Sequence, residues 1–434
     1  MPKVSDSTDT EERALGFWST VAIGVGGMVG GGIFAVLGLA VALARGGTPI
    51  AFAVAGLVAL VTAYSYARLS VHFQSQGGTV VFIDRAFGRG LLTGSLNALL
   101  WTSYIVMLAL YAFAFGSYGA TFIPDGGPLV RHALITAGIL VPTVLNMLAT
   151  GIVGRAETWI VGIKIAILTV FVAVGAFQVD PSRLAPGTWA GAVPLIAGGM
   201  IIFLAYEGFE LMANAAEDVR EPERTLPRAF YTTVLFVIVL YVLVSLVTVG
   251  SMPLSDIVAA KDYALAEAAR PSLGAVGFTV IGVAAMLSTF SAINATLYGA
   301  ARLSYTIAKE GELPEVLEKK VWNRPIEGLL VTAVLSTVLA NLGDLSSISM
   351  MGSAGFLLVF AVVNAAAAKL SAEIGARKSV AVVGACTCVV ALGALVWQTV
   401  ETHPTHLLVL AGMLLSSFSV ELVYRELRGR KLSL

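Results

Sequence analysis

The stretch GVGGMVGGGIF, residues 24–34, holds six glycines in eleven positions and lies inside the first long apolar run of the chain. Each glycine in a helix interior costs about 1 kcal/mol relative to alanine. The run nevertheless has the length and apolarity of a membrane span, so its glycines need a physical reason. The rest of the chain is equally apolar: 57% of its 434 residues are hydrophobic and 12% are charged, against roughly 25% charged in a soluble domain. Stretches of about 20 apolar residues, each long enough to cross a bilayer, recur at 17–44, 49–74, 91–121, 129–149, 157–178, 191–216, 228–251, 274–307, 328–342, 345–368, 380–399 and 405–424. The pattern predicts an all-α integral membrane protein of twelve transmembrane helices, of which 328–342 is the shortest and nearly merges with the next. Long continuous runs exclude a β-barrel, which needs short alternating segments.

Net charge is zero, but its distribution is not neutral. With both termini placed in the cytoplasm, 21 of the 27 Lys and Arg residues fall in cytoplasmic segments. Five fall outside (Arg45, Arg131, Arg183, Lys261, Arg270), and Lys164 sits mid-span. That bias fixes the orientation; the expected location is the cell membrane, as a multi-pass chain with both termini cytoplasmic. The start, MPKVSDSTDTEER, is polar and the first apolar run is long, so no cleavable signal peptide is expected. Cys386 and Cys388 lie two residues apart on one span and point in different directions, which predicts neither a disulfide nor a metal site.

A second loosened place is AGGMIIFLAYEGFE, 197–210, in the sixth span, where Gly208 and two glutamates interrupt an apolar helix. The weak places lie five helices apart. Five is odd, so the second set of five must run in the opposite direction, the sequence pointer to an inverted-repeat transporter. The expected division is a tail at 1–16, a first repeat at 17–178, a second at 191–368, two added helices at 380–424 and a tail at 425–434. The repeat rests on the placement of the breaks, because no side-chain similarity between the halves is visible.

The glycines now have a reason. Opening a helix inside a bilayer frees N–H and C=O groups that lipid cannot satisfy, whereas a substrate can. The half-helix starting at Gly30-Gly31-Gly32 would aim N–H groups and a positive dipole end at an anion. The half-helix ending before it would offer carbonyls to a cation, so a zwitterion fits both. Gly26/Gly30 and Gly27/Gly31 are also GxxxG pairs, a mark of close helix packing. Three consecutive glycines exceed what packing needs, and a second break follows five spans later, so the reading is a discontinuous helix.

Several segments resemble the amino acid–polyamine–organocation transporters, which share a five-plus-five inverted-repeat fold with sodium-coupled amino acid transporters. GGGIF at 30–34 is similar to that family's first-helix signature, QGGTVVFIDRAFG at 76–88 to the loop after its second helix, and FLAYEGFE at 203–210 to its sixth-helix break. AAEDVREPERTLPRA at 215–229 and RLSYTIAKEGELP at 302–314 resemble its next loop and the end of its eighth helix, with Glu221 where Asn is more usual and Lys309-Glu310 in place of Arg-Asp. Within the family the chain is most similar to an archaeal proton-coupled transporter of broad amino acid specificity. The resemblance implies discontinuous helices one and six. It implies a substrate carboxylate on the N–H groups of Gly31 and Gly32, and an ammonium facing the carbonyls of Met28, Phe203, Leu204 and the region of Glu207. It also implies an aromatic lid at Phe203, where packing is the plainer reading of an aromatic residue in a span.

In WIVGIKIAILTVF, Lys164 lies nine residues beyond Arg155, a rise of about 13 Å into a core roughly 30 Å thick. A lysine stem of about 6 Å cannot snorkel out from that depth. The amine needs a partner, a neutral form, or each at different times; a structural lysine tied permanently to carbonyls is the plainer alternative. The resemblance places this amine where related transporters bind a second sodium ion, against carbonyls near Gly26 and Val29, with Ser288 and Ser291 as the nearest hydroxyls. Burial penalises a charged amine, so Lys164 is expected to couple transport to protons in place of a metal ion.

Glu207 stands where the family usually keeps an apolar residue. It sits in the substrate pocket or faces a polar cavity, where it could pair with a cationic side chain, serve as a second proton site, or cap the freed N–H groups of the half-helix. Glu210 gates the inner side or makes a structural hydrogen bond. Asn146 and Asn294 fit interhelical hydrogen bonds, and Glu217, Asp218, Arg220 and Arg224 form a mixed-charge loop that is solvated or part of an inner gate. The four histidines, His72, His132, His403 and His406, are unclustered, and no metal set, nucleophile–base pair or nucleotide-binding motif is visible. The chain therefore reads as a secondary transporter importing amino acids with protons by alternating access. No cofactor beyond the proton is expected, and no nucleic acid or ATP-binding partner. An amino acid or amine exchanger and a non-transporting membrane sensor are the alternatives. Small apolar residues near the breaks fit neutral amino acids, while Glu207 leaves room for cationic ones.

Overall fold

In a bilayer every backbone N–H and C=O must find a partner, and apolar runs meet that demand as helices. The computed structural model describes residues 14–148, 153–309 and 326–427. The expected terminal tails lie outside the described residues apart from 14–16 and 425–427, as do positions 310–314 of the eighth-span motif. The described chain is helical: α1 Phe17–Met28, α2 Gly32–Ala44, α3 Thr48–His72, α4 Gly78–Phe87, α5 Leu91–Ala120, α6 Gly127–Leu148, α7 Val153–Gly175, α8 Ala192–Ile201, α9 Leu211–Asn214, α10 Pro222–Ser251, α11 Leu254–Ala259, α12 Ala264–Ala268, α13 Arg270–Lys309, α14 Ile326–Leu342, α15 Leu345–Lys369, α16 Lys378–Thr402 and α17 Pro404–Leu427. Nine of these helices are long and apolar enough to cross a membrane, or eleven when the bent pairs α1–α2 and α8–α9 each count as one span; α14 is apolar but shorter. Three short helices, α4, α11 and α12, lie between spans where the hydropathy pattern predicted loops.

Burial sorts the spans. Within the most apolar 18-residue stretch of each helix, 89% of the residues of α5 and 78% of those of α15 are buried, against 28% for α16 and 22% for α17. Exposed Val389, Val390, Trp397, Leu408 and Leu415 on α16 and α17 therefore face lipid, and α5 runs through the centre of the bundle. Polar side chains inside the bundle pair between helices. The Asn146 amide on α6 donates to the Asn294 Oδ1 on α13 at 2.7 Å.

The turn between α14 and α15 is held by Asp344, whose carboxylate accepts from the backbone N–H groups of Ser346 and Ser347 at 2.9 and 3.1 Å. Partial burial pushes this carboxyl up. Hydrogen bonds from Ser347 and Ser346 and the nearby His406 outweigh that and hold it below its ordinary value. A depressed folded-state value means the charged cap stabilises above the unfolded value of about 3.9 and loses that contribution as the pH falls through the folded value. Asp344→Ala should cost about 1 kcal/mol at neutral pH, and the melting-temperature gap to the wild type should narrow below pH 4.

Candidate functional site

Two breaks face each other at the centre of the bundle. The first lies between α1 and α2, which meet at a bend of 47°. The α-helix ends at Met28, and the first bond of α2 runs from the Ala35 N–H to the Gly31 carbonyl at 3.0 Å. A helix N-terminus leaves its first N–H groups without intrahelical partners, and those of Gly31 and Gly32 are among them. The second break bends by 42° after Ile201. The regular helix thus ends seven residues before Gly208, the position at which the sequence placed the interruption, and Phe203–Glu210 continues as a tighter 3₁₀ segment.

Gly208 has another task. A Cβ built on it would lie 2.5 Å from the Met28 N and 2.6 Å from the Gly27 carbonyl oxygen, and one on Gly27 would lie 2.6 Å from the Gly208 oxygen. Paired glycines let the two interrupted segments touch backbone to backbone. On the far side of the first break, a Cβ on Gly31 would run into the Tyr111 ring, and one on Gly32 would sit 2.7 Å from the Ala205 Cα. Gly30, Gly31, Gly32, Phe203, Leu204 and Glu207 are all buried, so this conformation is closed around the breaks.

The opened backbone is partly satisfied by side chains that sequence reasoning did not single out. The Tyr241 hydroxyl donates to the Met28 carbonyl at 2.6 Å, which leaves that oxygen one further lone pair. Ser349 and Ser353, one turn apart on α15, donate to the Ile201 carbonyl at 2.6 and 3.0 Å, and the Leu204 N–H donates back to the Ser353 Oγ at 3.1 Å. Phe203 packs edge-on against Phe360 with ring centroids 5.8 Å apart. The serine pair at i and i+4 in SSISMMGSAG was the available signal, since that spacing shares a helix face.

Lys164 reaches from α7 to the end of α1. It is 3% exposed and its Nζ donates to the Gly26 carbonyl at 3.2 Å. Ser288 on α13 donates to the Gly30 oxygen at 2.6 Å and to the Val29 oxygen at 3.2 Å. The structure thus gathers Gly26, Val29, Ser288 and Lys164 around the first break. Ser291 lies on the same helix, also buried, one turn further on.

Glu210 is clamped by three hydroxyls: Tyr104 at 2.6 Å on one oxygen, and Tyr66 at 3.1 Å and Thr79 at 3.5 Å on the other. Glu207 differs. It is fully buried and its carboxyl oxygens accept from no N–H or hydroxyl donor, so it does not cap the half-helix, one of the roles open to it in the sequence; the group within its hydrogen-bonding reach is the Glu210 carboxyl. Toward one end of the bundle the Arg302 guanidinium donates to the Gln76 side-chain oxygen, and the Gln76 amide donates to Glu217. The segment before α1 is tied to the same place, with the Leu15 N–H donating to the Asp218 carbonyl at 3.0 Å and the Arg220 N–H to the Leu15 carbonyl at 2.8 Å. Part of the mixed-charge loop is therefore tied, directly or through Gln76, to three other segments: the one before α1, the α3–α4 connection and α13. No group of three or more His, Cys, Asp or Glu residues placed to hold a metal ion occurs among the described residues.

Two facing helix breaks inside an apolar bundle match a known pattern, and the sequence of this chain matches the amino acid permease family over residues 15–418. The chain belongs to that family. It is 34% identical to an uncharacterized protein of Methanocaldococcus jannaschii over 98% of both chains. It is 33% identical to an inner membrane transport protein of Escherichia coli over 95% of this chain and 97% of that one. A branched-chain amino acid permease of Bacillus subtilis is 24% identical over 82% of this chain and 80% of that one. As a member of the amino acid permease family the chain is a multi-pass membrane transporter, not an enzyme.

Proposed function

We propose that this permease imports amino acids by proton symport, moving between outward- and inward-open states, with Lys164 as the coupling group. The observation that carries the reading is the Lys164 Nζ at 3.2 Å from the Gly26 carbonyl. It binds the half-helix that ends at the substrate site, and a protonated amine there braces α7 against α1 as a bound cation would. Loss of the proton would free the half-helix to move. The substrate carboxylate would rest on the N–H groups of Gly31 and Gly32, with the ammonium toward the carbonyls of Met28, Phe203 and Leu204. Phe203 would cover the substrate, and Glu210 with its three hydroxyls would take part in opening the inner side. Bends in the first and sixth spans support a five-plus-five inverted repeat within a twelve-span layout, and the basic-residue bias supports cytoplasmic termini in a cell membrane.

Purified protein in liposomes tests the reading. With the outside more acidic, labelled amino acid should accumulate above its equilibrium level and collapse when a protonophore is added. Uptake seen only into vesicles preloaded with amino acid would replace symport with exchange, and binding without flux would replace it with sensing.

A further inference from the structure

Glu207 is a buried charge-bearing group beside the helix breaks that the reading above leaves without a task. Its carboxyl oxygens are out of contact with solvent and accept from no N–H or hydroxyl donor; the group within hydrogen-bonding reach is a second carboxyl, that of Glu210. Its neighbour one turn on, Glu210, has the same charge type and is already served by Tyr104, Tyr66 and Thr79. Glu207 lies within electrostatic range of Tyr111, whose ring covers Gly31, and of Tyr104 and Tyr66. The next residue, Gly208, touches the backbone of Gly27 and Met28. The carboxyl group therefore sits beside the first break, on the side lined by tyrosines rather than by lipid-facing residues.

A carboxyl in a dry interior whose only close polar neighbour is another carboxyl is costly to keep charged, since like charges repel and no cation offsets them. Such a group persists where a partner arrives. A zwitterion already has its carboxylate matched by the N–H groups of Gly31 and Gly32 and its α-ammonium by backbone carbonyls, so what remains for Glu207 is a second cationic group. We propose that Glu207 is a specificity residue that selects basic amino acids, pairing with a cation at the end of the substrate side chain. The inference rests on the transport reading and narrows its substrate class.

The test uses liposomes carrying the full-length protein, with labelled lysine and norleucine, which have side chains of similar length with and without a terminal amine. Wild-type protein should take up lysine at least about tenfold faster than norleucine at equal concentration, the scale of a charge-assisted pair. In Glu207→Gln the lysine-to-norleucine ratio should fall at least about tenfold, whereas Glu207→Asp, which keeps the carboxylate, should retain the preference for lysine. A wild-type protein without lysine preference overturns the proposal, even if Glu207→Gln fails to fold. So does an equal fall of both substrates, which would place Glu207 on the α-ammonium or in a structural role. An unchanged ratio with an altered pH profile would make it a proton carrier instead. If norleucine or another neutral amino acid is moved and lysine is not, the selectivity inference fails and the transport reading stands. If none of the twenty amino acids is moved, both fall.

Discussion

Lys164→Ala should lose accumulation of substrate driven by a pH gradient, by at least about tenfold, the scale of a coupling free energy between two linked sites. The amine is 3% exposed and donates to a carbonyl in the last turn of α1. Removing it leaves the Gly26 oxygen without that donor, at about 1–3 kcal/mol for a buried acceptor, and removes the only basic residue well inside a span. Binding of substrate should survive, because Gly31, Gly32 and Phe203 are supplied by other elements. The informative companion is Lys164→Arg. A guanidinium can donate to the same carbonyl but does not give up its proton in a protein, so the arginine variant should melt closer to the wild type than the alanine variant does, yet accumulate no better. Counterflow with substrate on both sides separates the two losses, since exchange needs movement but no proton gradient. A Lys164→Ala protein that still concentrates substrate against its gradient when the outside is acidified would remove the coupling role.

Gly208→Ala should disable transport through packing alone. The added Cβ would meet the Met28 N at 2.5 Å and the Gly27 carbonyl oxygen at 2.6 Å. These are backbone atoms, and neither can rotate away as a side chain would. Overpacking of this kind costs about 1–3 kcal/mol, and here the strain falls on the contact between the two interrupted segments. Initial uptake should drop at least about tenfold, following misplacement of groups around the substrate. Gly27→Ala should behave similarly, with the Gly208 oxygen at 2.6 Å and the Leu211 Cδ1 at 2.9 Å from its new methyl. Gly162 on α7 is the control. Nothing lies within 4 Å of its added Cβ, so Gly162→Ala should leave uptake intact and raise stability by up to about 1 kcal/mol through helix propensity. Thermal melting and uptake measured on all three variants check the contrast. Equal effects at Gly208 and Gly162 would mean that helix propensity, not the close approach, explains these glycines.

Much of the bundle was legible in the chain because lipid imposes a simple rule: apolar length becomes helix. Most span limits read from hydropathy agree with the helices to within a few residues, as for 91–121 against Leu91–Ala120 and 345–368 against Leu345–Lys369. The span 228–251 is longer, as its helix begins at Pro222. The first break was readable because three consecutive glycines have few other uses in a span. The second was harder. FLAYEGFE draws attention to Gly208, but the helix gives way at Ile202, where no glycine or proline marks the place. The two serines of α15 that hold the freed Ile201 carbonyl lie about 150 residues away in sequence, so local pattern has no means of showing it. The same limit hid Tyr241 on the Met28 carbonyl and Tyr66, Tyr104 and Thr79 on Glu210. Each is an ordinary polar residue in its own helix and becomes specific only through its neighbour.

The order of apolar runs, the positions of the glycines and the depth of Lys164 are properties of one dimension, and the sequence by itself determined them: a membrane bundle with at least one interrupted span and one basic group buried at mid-depth. Only the tertiary structure decided which glycines touch, which carbonyl the amine meets, and that of two neighbouring glutamates one is held by three hydroxyls while the other meets no N–H or hydroxyl donor. The reason is that hydrogen bonds and contacts a few ångströms long are set by the packing of helices distant in the chain, and a desolvated group is defined by what surrounds it rather than by its own identity.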